Sequence, residues 1–213
     1  MKSRNKIYSL VLLGLMVAIL FIMAYTPLGY LNIGALAVTF NTIPVAISAL
    51  ALGPVGGAVA GAVFGLTSFL QCFGGSALGT ALFGISPVLT VVQCFVPRIL
   101  DGVIIGLVSS VLKNKCSSSI LRCSVVGFLS AFLNTLFYMT SLIVLFGNTD
   151  VIMSYRQTLA PGKNVFLFKC LFVGVNAVAE MISSTVITGA VGTALMKAKL
   201  IPSSKTKQSE AAA

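Results

Sequence analysis

Long apolar runs broken by short polar punctuation set the pattern of this chain. Residues 7–25, IYSLVLLGLMVAILFIMAY, carry no charge. As a helix they extend about 28 Å, close to the hydrocarbon thickness of a bilayer. A signal peptide's apolar region is shorter, about 7–15 residues, and is followed by a small-residue cleavage site. No such site is visible, so the run is predicted to be a retained first transmembrane helix. The next apolar stretch, 31–52, is interrupted. Asn41-Thr42-Ile43-Pro44 reads as a helix start, with a polar cap and proline in the first turn. It predicts a second helix that is shorter than a full span or kinked at Pro44. Gly53-Pro54 predicts a tight turn into a third helix ending near Gln71. CFGGSALGTALFGISP reads as a loop, and three further helices are predicted at about 88–112, 123–147 and 165–195. The expected architecture is all-α, with six transmembrane helices in one domain over residues 1–199. A polar tail, 200–213, is expected to be disordered.

Composition narrows the class. The chain is 57% hydrophobic and only 8% charged, against roughly 25% charged for a soluble domain. It must sit in a bilayer. The net charge of +10 does not point to nucleic acid, because the basic residues form no stripe among aromatics. They flank the apolar runs. Lys2, Arg4 and Lys6 precede helix one, Lys113, Lys115 and Arg122 lie between helices four and five, and Lys197, Lys199, Lys205 and Lys207 follow helix six. The positive-inside rule then predicts both termini in the cytoplasm. Five cysteines without a CxxC pair give no disulfide framework, and the absence of histidine removes the usual zinc, haem and His-based catalytic constellations.

Candidate chemistry comes from polar residues at depth. Counting 1.5 Å per residue, Arg98, Asn134, Asn176 and Glu180 fall near mid-membrane on helices four, five and six, with Tyr138 one turn from Asn134. Charges there are costly unless they face a partner or a wet cavity, so the spacing predicts one polar pocket between these helices. Gln93 and Gln71 lie nearer its outer end, as entrance residues. Two readings of Arg98 stand side by side. It can anchor a ligand anion through its two-pronged fork, or form a structural lock with Asp101 at i, i+3 or with Glu180 across helices. Glycines 53, 57, 61 and 65 recur every four residues, which suits close helix packing within the protein. Gly14 and Ala18 form a smaller pair that could face a partner.

With those residues in view, TPLGYLNIGALAVTFNTIPVAISALALGPVGGAVAGAVFGLTSFLQ followed by SPVLTVVQCFVPRILDG resembles the substrate-binding S component of energy-coupling factor (ECF) vitamin transporters, in particular the pantothenate-type subgroup. The resemblance covers roughly residues 7–197. It implies a subunit that binds one vitamin from outside beneath a lid spanning Thr26 to Asn41, and then turns against a transmembrane coupling subunit driven by two cytosolic ATPases. ATP belongs to those partners. This chain has no phosphate-binding GxxxxGK[ST] loop, and no cofactor or enzymatic activity of its own is expected. The family's small-residue motif on helix one falls on Gly14 and Ala18, which would face the coupling subunit. Its Pro-Arg pair falls on Pro97-Arg98. Arg98 would then meet the vitamin carboxylate, with Asn134 and Asn176 serving its amide and hydroxyls. Many pantothenate-type members carry a histidine just before Ile-Pro, where Asn41-Thr42 stand here. The chain has no tryptophan, which disfavours flat ring ligands such as riboflavin or folate, while a mid-membrane arginine favours an acid such as pantothenate or biotin. The expected location is a bacterial cell membrane. The competing reading is a self-sufficient, proton-coupled secondary transporter using Asp101 and Glu180.

Overall fold

In a computed structural model the chain is built from seven helices and one hairpin among the described residues: α1 (Lys2–Ala24), β1 (Tyr30–Ile33), β2 (Leu36–Thr39), α2 (Thr42–Gln71), α3 (Ala77–Ile85), α4 (Pro87–Lys115), α5 (Ser119–Phe146), α6 (Asp150–Leu159) and α7 (Val165–Lys197). The structure describes residues 2–26, 30–33, 36–116, 118–159, 165–198 and 200–201, and the side chains of 7–26, 39–116, 118–154, 177–198 and 200–201. Helix starts follow local chemistry. Ser86 and Ser118 accept the backbone N–H groups of Leu89 and Leu121, each at 3.5 Å, and Pro87 occupies the first turn of α4 where its missing N–H costs nothing.

Helix α2 is interrupted. Gly53 has φ 68° and ψ −151°, a conformation open to glycine but not to residues with a Cβ. The chain bends there so far that a Cβ on Gly57 would lie 3.2 Å from the Cβ of Ala49. Eight residues of straight helix would separate the two by about 12 Å. The first arm, residues 42–52, is therefore a half-span of about 16 Å, buried almost throughout. Arg122 holds its far end: the guanidinium donates to the Leu50 carbonyl at 3.5 Å and to Ser109 Oγ at 3.3 Å. A cation belongs there, because a helix's last carbonyls lack partners and carry partial negative charge.

The second arm, residues 54–71, lies antiparallel to α4 at backbone distance. A Cβ on Gly57 would strike the Gly102 carbonyl, one on Gly61 the Arg98 carbonyl, and one on Gly106 the Pro54 backbone. The glycine stripe is thus an internal packing surface. Five helices among the described residues are long and apolar enough to cross a membrane: Ile7–Ala24, Thr42–Gln71, Pro87–Lys115, Ser119–Phe146 and Ala177–Lys197. Thr42–Gln71 counts once among these five, although the bend at Gly53 divides it into two arms that match the expected second and third helices. Residues 31–33 and 36–39 are strands rather than helix. They form an antiparallel hairpin that pairs Tyr30 with Thr39 and Ile33 with Leu36. The expected loop after Gln71 contains α3, capped by Ser76, whose side chain accepts from Gly79 N.

Candidate functional site

Polar contacts fix how α4, α5 and α7 stand beside one another. Between α4 and α5, Gln93 Nε2 donates to the Tyr138 carbonyl at 3.0 Å, and Ser130 Oγ donates to Asp101 Oδ2 at 3.3 Å. Between α5 and α7, Thr135 Oγ1 donates to Glu180 Oε2 at 3.5 Å, and Ser184 Oγ donates to the Gly127 carbonyl at 2.8 Å. The register sets Arg98, Asn134 and Glu180 at one depth. All three are buried, at 8%, 6% and 6% exposure.

Arg98 is the centre of this layer. Pro97 has no N–H, so the carbonyl four residues earlier, that of Gln93, is left without its helical partner. Arg98 Nη1 fills the gap, donating to the Gln93 carbonyl at 3.2 Å and to the Cys94 carbonyl at 3.1 Å. The Pro-Arg pair is locally self-consistent for this reason. The guanidinium lies between two aromatic faces, with Cζ 4.9 Å from the Phe64 ring centroid and 5.0 Å from that of Tyr138. Cation–π attraction of this kind strengthens as water is excluded.

Neither candidate carboxylate pairs with Arg98 among the described residues. Asp101 is 1% exposed and accepts from Ser130, whose hydroxyl also lies 3.5 Å from the Thr42 carbonyl at the start of the half-span. Glu180 reaches the hairpin: its Oε1 accepts the backbone N–H of Thr39 at 2.6 Å. Glu180 therefore ties the end of β2 to α7. Arg98 is left as a buried cation held by two carbonyls and two rings, with Nε unpartnered. Among the described residues, Gln93 Oε1 on the same helix and Asn134 Oδ1 at the same depth on α5 are also buried without hydrogen-bond partners, as are the Thr42 hydroxyl and both amide atoms of Asn41 at the start of the half-span. Buried polar groups are ordinarily satisfied, so the unpartnered atoms of this layer are candidates for contact with a polar ligand.

The other candidates have distinct places. Tyr138 supplies a wall of the Arg98 site. Gln71 donates through Nε2 to the Ala24 carbonyl at 2.8 Å, fastening the end of α2 to the end of α1. Asn176 lies on α7 one turn from Glu180, but its side chain is outside the described residues. Gly14 and Ala18 are exposed on α1, on one face with Ile7, Val11, Leu15 and Ile22, and a Cβ on Gly14 would meet nothing within 4 Å. Sequence spacing missed Phe64, Thr39, Thr135 and Ser130. Only Phe64 carried a hint, as the aromatic between Gly61 and Gly65 in an otherwise small-residue stripe.

The family of ECF transporter substrate-specific components matches residues 8–192. This chain belongs to that family. The S component is 31% identical over 202 residues to the pantothenate transporter PanT of Leuconostoc mesenteroides subsp. mesenteroides, covering 91% of this chain and 95% of that protein. It is a multi-pass membrane transport subunit rather than an enzyme, and it works with an energising module.

Proposed function

We propose that this S component captures pantothenate from outside the cell and delivers it through an ATP-driven ECF importer. The observation that carries the reading is Arg98, a buried guanidinium without a carboxylate partner among the described residues. Leaving such a charge unpaired costs several kcal/mol, which a ligand carboxylate recovers through charge-assisted hydrogen bonds. Gln93 Oε1 and Asn134 Oδ1 offer acceptors to hydroxyl and amide hydrogens, and Asn176 would add a further amide. Phe64 and Tyr138 wall the site. Glu180 holds the hairpin over the layer, and Gln71 steadies its mouth. The name of the Leuconostoc relative supports the same vitamin.

Orientation follows from charge. Lys113, Lys115 and Lys197 stand at the Gly53 end of the bundle, where α1 also begins. In a bacterial cell membrane the positive-inside rule puts that end, and both termini, in the cytoplasm. The hairpin then faces outside as a lid. The open face at Gly14 and Ala18 meets the transmembrane coupling subunit, and two ATPases drive the cycle. Vesicles containing this chain and its energising module should accumulate labelled pantothenate only when ATP is inside with the ATPases. Uptake by the chain alone, driven by a proton gradient, would overturn this reading in favour of a secondary transporter.

A further inference from the structure

Two thiols outside the proposed ligand contacts come together across helices. Cys72 closes the end of α2 and Cys94 lies on α4, one turn from Arg98, with Sγ atoms 4.0 Å apart. Both side chains are buried, at 3% and 5% exposure. Cys72 also donates to the Ser68 carbonyl at 3.4 Å, and its sulfur would lie 3.0 Å from a Cβ on Gly79, so α3 packs over it. The turn between α2 and α3 is exposed at Phe73 and passes through Gly74 at φ 127°. Brief opening of such a turn admits small solutes.

We infer that Cys72 and Cys94 form a peroxide-sensitive pair that closes to a disulfide and staples the end of α2 to α4 beside the Arg98 site. The oxidant is hydrogen peroxide, small and neutral enough to reach a buried thiol. One thiolate attacks a peroxide oxygen and breaks the O–O bond. This gives a sulfenic acid and, once the leaving hydroxide takes up the thiol's proton, one water. The second thiol attacks the sulfenic sulfur, the S–O bond breaks, and a second water leaves as the S–S bond forms. The two thiols supply the two electrons that reduce one peroxide. Closure requires the sulfurs to approach from 4.0 Å to the bonded distance of about 2.05 Å. The Cys94 carbonyl also accepts from Arg98 Nη1, so the staple grips the turn of α4 that positions the guanidinium.

Purified full-length protein in detergent is treated with peroxide, unfolded, alkylated and digested. The expected result is loss of two alkylatable thiols, a peptide joining residues 72 and 94 that is two hydrogens lighter than its parts, a raised melting temperature, and reversal of all three by dithiothreitol. In Cys72→Ser the joined peptide disappears and Cys94 is trapped as a sulfenic acid by dimedone. The inference is overturned if both cysteines stay alkylatable, if they oxidise separately to sulfinic acids, or if the cross-link joins other cysteines or two copies of the chain.

Discussion

At the scale of single residues, Arg98 decides most. Its place was legible in the sequence as a charge ten residues into an apolar run, next to proline. Its partner was not, because spacing alone leaves Asp101 and Glu180 equally able to reach it. Those carboxylates turn out to be occupied by Ser130, Thr135 and the backbone of Thr39. Truncating one member of a buried charge pair typically costs about 2–5 kcal/mol, so Arg98→Ala should weaken acidic-vitamin binding by roughly 30-fold or more. The variant should still insert, because the lost hydrogen bonds are to carbonyls on its own helix and the Phe64 and Tyr138 rings lose only cation–π contacts. Equilibrium binding to the purified variant checks this, and unchanged affinity would remove the anchor role.

Among the elements, the half-span and hairpin were half legible. Asn41-Thr42-Ile43-Pro44 gave the helix start and Gly53-Pro54 the turn. Nothing in the alternation of YLNI and LAVT distinguished a strand pair from the irregular lid expected there, since that pairing depends on the far side of the molecule. Its end is held by Glu180, 141 residues away. Glu180→Ala should release this tie. Faster hydrogen exchange at residues 36–39 and faster vitamin dissociation are expected, and exchange rates identical to wild type would show that the hairpin is held by other contacts. The glycine stripe was legible as a packing surface, but its partner was not. Gly57 meets Gly102 backbone to backbone, so neither helix can yield by rotating a side chain. Gly57→Leu should exceed the ~1–3 kcal/mol typical of core overpacking. A large drop in melting temperature or loss of folded protein in detergent is the expected readout, and a stable variant would contradict the close crossing.

At the scale of the whole molecule, two surfaces stand apart. The polar layer lies toward the hairpin, while Gly14 and Ala18 look outward from the bundle. Gly14→Leu would project a branched side chain into open space. It should leave vitamin binding intact while sharply reducing copurification with the coupling subunit. If both properties persist, assembly uses another face.

A carboxylate-vitamin site around Arg98 should bind its ligand without any partner subunit, and calorimetric titration of the purified chain measures that binding. Pantothenate, biotin, riboflavin and folate are added separately, without the energising module. Tight, saturable binding of pantothenate alone is the expected result. Tight binding of biotin instead would keep the arginine anchor and change the vitamin, and binding of riboflavin with no response to either small acid would contradict the account.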